Sequence, residues 1–582
     1  MRRRNTIGLA AFSGITALVL AACGGSSGSP SPGPSSAGFN AAITSTVNPS
    51  THKGGTITFN LTTWEDSMDP GGTYYAANWN FTRYYATPLM TYNSCQGSCG
   101  LHLIPALATA PGTPSSNNTV WTYHIKSGMK FSDGQPITSA DVKYAVMRTF
   151  AKEVLPGGPV YFQNLLAGNA ATYKGPYKDK GKDLTSVTTP NSTTVVFHLN
   201  KPFADFNYVV AIPQTAPVPK NKDTGASYQL HPVSSGPYMV QSATLNKTFV
   251  LVPNPNWNPA MDPAVHQYAS KIILNINPNA NDIDNRLIAG DIQMDMAGTG
   301  VQSAARAKIV TNPTLKASSD DPVTGFMWFI YQDTQVPPLT NVHCRMAIEY
   351  AANKTTLQDA YGGPYQGSIA TTAMPPNIIG YKHFDLYNAG SHPGGDTAAA
   401  KQQLSLCGKP NGFSIGMAYR SDRPRDTSAA QALQAALAPV GIKVSLHGFP
   451  SGTYFTNFAG VPKYMTTHGI GLATGGWGPD WPDAYGWGWA LFDGKAIVPA
   501  GNTNIGALND PVVNNLFLKL EAATSASAQA TISGQIDMQL MKDAVIVPAV
   551  YAKALLYRSS DLTNMTVQPY YGMYNYGTLG TK

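Results

Sequence analysis

Gly325-Phe-Met-Trp-Phe-Ile-Tyr331 is a continuous apolar run with no polar residue in alternation. A run of this length reads as a buried strand, covered on both faces. Working outward, the next elements alternate in type. Val342 to Gln358 has helical periodicity, and Gly412 to Tyr419 is a strand. Ser428 to Leu437 is a helix stopped by Gly441, and Ile442 to Leu446 is the next strand. Ala544 to Tyr551 and Lys553 to Tyr557 close the chain as strands. Strand–helix–strand order implies an α/β fold with a partly parallel sheet covered by helices.

The first half carries further strands at Gly55 to Leu61, Val120 to Ile125, Thr193 to Leu199, Phe249 to Pro253 and Lys271 to Asn277. Asn78 to Met90 reads as a short helix. Thr138-Ser-Ala-Asp141 has the spacing of a capping box ahead of a helix over Val142 to Ala151.

The chain has 582 residues, 43% hydrophobic and 10% aromatic, enough for a large core. At ~100–200 residues per domain it holds roughly three to five domain-sized units. Charged residues are 12%, about half the usual ~25%. The net charge of +7 includes Arg2, Arg3 and Arg4, which begin an export signal. Without them 36 basic residues face 32 acidic ones. That balance, with no long basic block, excludes a nucleic-acid partner.

Ile7 to Leu20 is a 14-residue apolar core, short of the ~20 residues of a membrane span. Small residues and a cysteine follow, as Leu20-Ala-Ala-Cys23. This is a signal peptide, and the last four residues resemble a bacterial lipobox, with Cys23 as the lipidated first residue. Gly24 to about Lys53 is rich in Ser, Gly, Pro, Ala and Thr, the composition of a flexible tether. The body is therefore expected outside the cytoplasm, lipid-anchored to the membrane. Cys95, Cys99, Cys344 and Cys407 remain. An even count in an exported chain implies two disulfides. Three connectivities are open, and the short loop shared by Cys95 and Cys99 favours pairing them and Cys344 with Cys407.

Chemistry-bearing motifs are few. There is no H-E-x-x-H, no phosphate-binding G-x-x-x-x-G-K-[ST] and no G-x-G-x-x-G. The one G-x-S-x-G match, at Gly24, lies in the tether. No metal or cofactor is expected, and no enzyme activity. The distinctive segment is Gly475-Gly-Trp-Gly-Pro-Asp-Trp-Pro-Asp-Ala-Tyr-Gly-Trp-Gly-Trp489, with four tryptophans and two carboxylates. Read as a loop after a strand at Gly469 to Ala473, it offers flat apolar walls around a carboxylate. Such a site suits an ammonium group. An aromatic packing loop between domains accounts for the same residues equally well.

Five segments in order resemble the extracellular solute-binding proteins of family 5, the peptide- and nickel-binding components of ABC importers. They are Phe131-Ser-Asp-Gly-Gln-Pro-Ile-Thr-Ser-Ala-Asp-Val142, Ser235-Gly-Pro-Tyr238 with Asn254-Pro-Asn-Trp257, Asn285 to Asp295, Pro338 to Lys354, and Gly476 to Asp483. The resemblance runs from about residue 53 to 582. It departs at Asn353, where the family has an acidic residue, at Cys344, and at Ile470 to Gly475, which lacks an arginine.

The resemblance implies a two-lobed periplasmic-binding-protein-like fold with a hinge and a domain inserted in the first lobe. Carried onto this chain, 1–22 is the signal peptide and 23–52 the lipidated tether. Lobe I is 53–72 with 212–316 and 548–582, the inserted domain is 73–211, and lobe II is 317–547. Hinge crossings fall near 316 and 547. The implied function is capture of a solute, short peptides first, between closing lobes, and delivery to an ABC permease by a monomeric protein. An oligosaccharide, a nickel chelate or another amine-bearing molecule is the alternative solute. Asp480 matches the family carboxylate that pairs with a peptide's α-ammonium. Trp477 and Trp481 are its expected neighbours, and Tyr74, Tyr75 and Trp64 are further expected ligand contacts.

Overall fold

The apolar run lies inside the strand Val323–Gln332, the third of six strands in a mixed sheet. The computed structural model describes residues 37–64, 67–523 and 525–582. Signal peptide, lipobox and Cys23 lie outside the described residues. In sheet order the strands are Gly367–Ile369, Ile546–Lys553, Val323–Gln332, Ile470–Trp477, Ser414–Arg420 and Lys443–Phe449. Val323–Gln332 is antiparallel to both neighbours, whereas Ser414–Arg420 runs parallel to both of its own. Both faces are covered, as a continuous apolar run requires. Met327, Phe329 and Tyr331 pack into one cluster and Ile330 into another, beneath helices Val342–Ala351 and Pro424–Leu437.

The other large sheet begins earlier in the chain and is the first sheet, the six-stranded one being the second. The first sheet has the order Met294–Asp295, Thr56–Leu61, Lys271–Ile276, Thr248–Pro253, Tyr238–Thr244. Its core holds Phe59, Phe81, Tyr84, Phe249 and Tyr576. A third, four-stranded antiparallel sheet is built from Thr113–Ser115, Val120–His124, Thr194–His198 and Val187–Asn191. Against it lies the helix Ser139–Thr149, whose first turn is closed by Thr138 N–H donating to Asp141 Oδ2 at 2.8 Å. Arg148 of this helix is buried and grips Asp69 of the first-sheet region with two hydrogen bonds, at 3.0 and 2.7 Å. The described cysteines pair as Cys95–Cys99 and Cys344–Cys407. Among the described residues no helix is long and apolar enough to cross a membrane.

The two large sheets are joined where two chain crossings pair with each other. Ser319–Asp320 is antiparallel to Leu556–Tyr557. The crossings thus lie a few residues beyond 316 and about ten beyond 547. The second shift has a clear cause. Ile546–Lys553 is buried along almost its whole length and pairs with Val323–Gln332, so it completes the second lobe's sheet before the chain leaves. Asp320 and Arg558 form a buried ion pair at the crossing, 2.5 Å apart.

Other expectations are modified. Residues 37–52, expected in the tether, are docked on the body. Ala42 and Val47 are buried, Ala42 N–H donates to Asp320 Oδ1 at 2.9 Å, and Val47 bridges Met565. A few apolar side chains among small polar ones suffice when backbone donors find fixed acceptors. The helix at Asn78 is Ala76–Thr82 and stops well before Met90. Pro88 disfavours helical backbone at Thr87, and Met90–Tyr92 forms a strand instead. The helix over 342–358 is two helices, Val342–Ala351 and Lys354–Ala360, divided where Asn353 caps the second through Thr356 N–H.

Arg558→Ala leaves Asp320 buried without its counter-charge. We expect this to cost about 3–5 kcal/mol of unfolding free energy, read as a lower urea midpoint. Asp320→Asn with Arg558→Ala is expected to cost less than the sum of the single changes.

Candidate functional site

Asp480 sits three residues beyond the strand Ile470–Trp477, at the carboxyl end of a strand in the second sheet. Such ends are where α/β sheets present ligand contacts. Gly478 and Pro479 turn the chain, and Asp480 N–H donates to Gly486 O at 3.1 Å. Around its side chain, elements from other parts of the molecule converge. Tyr74 OH donates to Asp480 Oδ1 at 2.8 Å. Tyr161 OH donates to Oδ2. Tyr570 OH donates to the Asp480 carbonyl at 2.9 Å. Burial pushes the Asp480 carboxyl up from its ordinary range, and the Tyr161 and Tyr74 hydroxyls oppose that. Burial, then the Asp480 charge, pushes the Tyr161 phenol well up, so it stays a proton donor. A carboxylate has about four acceptor positions, and the two phenols use two. Asp480 can therefore take a further donor such as an ammonium.

The sequence-named residues separate into three groups. Tyr74 is joined to Asp480, and its ring stacks on Trp79 with centroids 5.6 Å apart. Trp481 is adjacent but 1% exposed. It stacks on Tyr208 and Tyr485, with interplanar angles of 9° and 7°. Its surface is consumed by neighbouring rings, which makes it a packing residue of the seam between the inserted domain and the second lobe. Trp477 ends its strand half-buried against the second-lobe core. Trp64 is not brought to the site. It packs into the first-sheet core edge-on to Phe249 and donates to Gln229 Oε1 at 3.3 Å. Tyr75 is 51% exposed and precedes the helix Ala76–Thr82.

The tryptophan-rich segment was expected to be a loop throughout. Only 478–483 is, because Gly475, Gly476 and Trp477 finish the strand Ile470–Trp477. Ala484–Phe492 is a helix, capped by Asp483 accepting Gly486 N–H at 2.8 Å. Gly486 is required by close approach, since a Cβ there would lie 2.6 Å from Trp481 O. Gly486 thus serves packing inside a buried helix rather than a turn. Tyr161 and Tyr570 escaped the sequence reading. Nothing local distinguishes them among 30 tyrosines, because their role depends on contacts 319 and 90 residues distant. Among the described residues no group of three or more His, Cys, Asp or Glu is placed to hold a metal ion.

The profile of the family described as "Bacterial extracellular solute-binding proteins, family 5 Middle" matches residues 102–497, more than half of the chain. The chain belongs to this family. The solute-binding protein is 25% identical over 434 residues to the probable D,D-dipeptide-binding periplasmic protein DdpA of Escherichia coli K12, covering 72% of this chain and 74% of DdpA. It is 24% identical over 465 residues to the glutathione-binding protein GsiB of Salmonella typhi, covering 78% and 82%. Among solved structures it resembles clavulanic acid biosynthesis oligopeptide binding protein 2, with 38% identity and a TM-score of 0.88 over 94% of this chain and 98% of that one. The two-lobed fold is thus shared with periplasmic binding proteins.

Tyr161→Phe removes one donor from a buried carboxylate. We expect a loss of about 1.5–3 kcal/mol in the ligand-free protein, the range for a hydrogen bond to a charged group. Denaturant unfolding followed by tryptophan fluorescence measures it.

Proposed function

We propose that this solute-binding protein is anchored through Cys23 to the outer face of the cytoplasmic membrane, captures short peptides between its two lobes, and passes them to an ABC permease. The observation that carries the reading is the Asp480 carboxylate, held at the end of a second-lobe strand against phenols from Tyr74 and Tyr161. A carboxylate so placed binds an incoming ammonium by a charge-assisted hydrogen bond. Burial makes that bond stronger than it would be in water. The relatives support this choice of solute, since their names specify a D,D-dipeptide, glutathione and oligopeptides. Each of those molecules carries a primary amine. The stacking of Trp481 with Tyr208 and Tyr485 leaves less free aromatic surface than a sugar-binding wall needs.

Capture works by lobe closure. The open and closed forms exchange, and a ligand that touches both lobes shifts the population toward the closed one. No bond is made or broken in the solute. The protein acts as a monomer, and Cys23 keeps it near the permease.

Mass spectrometry of the solute released on denaturing the purified protein tests the substrate class. A ladder of short peptides is expected, and a single non-peptide species overturns it. Asp480→Ala is expected to weaken binding of a peptide with a free N-terminus by roughly tenfold or more. Equal affinity of the two proteins by calorimetry would remove Asp480 from the site.

A further inference from the structure

The disulfide Cys95–Cys99 is open to solvent, with Cys99 exposed and Cys95 half-buried. The other bridge is enclosed, with Cys344 buried among the second-lobe helices. Exchange needs a thiolate to reach a disulfide sulfur, so access separates the two. Loop length separates them as well. Cys95 and Cys99 are 4 positions apart, against 63 for Cys344 and Cys407. A short closed loop restrains the unfolded chain less than a long one. The exposed bridge therefore acts on its surroundings more than on global stability.

Those surroundings lead to Asp480. Gln568 is 1% exposed and holds both flanks of the bridge, donating through Nε2 to Asn93 O at 2.9 Å and to Gly100 O at 3.0 Å. Gly100 lies so close to the next residue, Pro569, that a Cβ there would sit 2.6 Å from Pro569 Cδ. Gln568 Oε1 in turn accepts Tyr570 N–H at 2.7 Å. The Tyr570 ring stacks on Tyr92 with centroids 3.8 Å apart, and its hydroxyl donates to the Asp480 carbonyl. One run of contacts thus joins the disulfide to the backbone of Asp480.

The loop itself depends on the bridge. Between the cysteines the chain reads Gln96-Gly97-Ser98, with no apolar side chain to seat it, and Gly97 and Ser98 are exposed. Gln96 Nε2 reaches only a surface hydroxyl, Thr46 Oγ1, at 3.2 Å. The covalent link is what keeps the Asn93 and Gly100 carbonyls at the spacing that one amide group can serve.

We propose that Cys95–Cys99 is a thiol–disulfide exchange site for a dithiol reductant, and that its redox state sets how firmly Asp480 is held. The effect on solute rests on the reading of Asp480 given above, and the exchange chemistry does not. One thiolate of the dithiol attacks Cys99 Sγ, the accessible sulfur. The bond to Cys95 breaks, and Cys95 leaves as a thiolate that takes a proton from water. The second thiolate of the dithiol then attacks the reductant's own sulfur in the mixed disulfide. That closes the reductant's disulfide and releases Cys99 as a thiolate beside Asn93 Nδ2, which donates to Cys99 Sγ at 3.3 Å. Two electrons pass, the dithiol being oxidised and the bridge reduced. With the bridge open, Gln568 loses a fixed acceptor, and the support it gives Tyr570 and Asp480 slackens.

The test treats the full-length, ligand-free protein in detergent with dithiothreitol under native conditions. Thiols are alkylated at intervals and located by mass spectrometry. Cys95 and Cys99 are expected to be alkylated at least about tenfold faster than Cys344 and Cys407. Equal rates, faster opening of Cys344–Cys407, or an unreactive Cys95–Cys99 overturns the exchange site. Hydrogen–deuterium exchange is then compared before and after selective reduction. Protection of residues 568–571 is expected to fall roughly fivefold, the worth of one hydrogen bond, and to return on reoxidation. The double variant Cys95→Ser with Cys99→Ser is expected to stay at the reduced level throughout. Unchanged protection on reduction overturns the coupling, as does a double variant at the oxidised level. Calorimetry with a pool of tripeptides bearing free N-termini is run alongside, the oxidised protein being expected to bind about fivefold tighter. Equal affinity in the two states also overturns the coupling. Failure of every peptide in both states defeats the peptide reading, while alkylation and exchange still decide the redox site.

Discussion

The ion pair between Asp320 and Arg558 ties together the two crossings between the large sheets. Each residue lies on or next to one of the two strands that cross between the large sheets, and the pair is buried. Arg558 also donates to the Ala317 and Ser319 carbonyls, and Tyr574 OH and Ala42 N–H both donate to Asp320. A lone buried charge would be costly, so the two crossings have to stay in register. Two short paired strands carry the connection between the large sheets. The docking of residues 37–52 follows from the same group, because Asp320 and Arg558 supply fixed partners for Ala42 N–H and Gly38 O.

Away from the hinge, the contacts sort by what they must do. The inserted domain is held to the first-sheet region by the buried, doubly hydrogen-bonded pair of Arg148 and Asp69. Breaking that junction would strand charges in the interior, so it behaves as a permanent one. The contacts onto the second lobe are of another kind. Phenol hydroxyls meet Asp480, and stacked rings meet Trp481. Among the described residues the one ion pair there, Lys201 with Glu521, keeps its lysine 38% exposed. Groups of this sort exchange protein partners for water at small net cost.

Much of the architecture was legible because it is local. The buried strand at 325–331, the Ser414–Phe449 strand–helix–strand unit and the Thr138 cap each follow from periodicity or capping within a dozen or so residues. The reading lost accuracy where distant contacts decide. Ile546–Lys553 belongs to the second sheet because Val323–Gln332 is its partner, which no local pattern reveals. The glycines of 475–489 look like loop residues in sequence, yet Gly486 exists to let a helix approach Trp481. Asp480 was legible through a motif. Its phenol partners were not, since tyrosine is abundant here and a hydroxyl aimed at a carboxylate leaves no spacing signal.

The same distinction explains why the tryptophan-rich segment supports two readings at once. Trp481 and Trp487 are packing residues. Both are 1% exposed, and Trp487 donates to Ala373 O at 3.0 Å inside the second lobe. Yet the packing is what gives Asp480 its chemistry. Rings on either side exclude water from the carboxylate, and that exclusion raises its pKa and strengthens any charge-assisted bond it makes. Trp481 stacks on Tyr208 of the inserted domain, so this shielding includes a contact between that domain and the second lobe. On the proposed function, an ammonium bound at Asp480 is held more tightly in the closed form than in the open one. That difference in affinity is what a solute needs in order to close the lobes on itself.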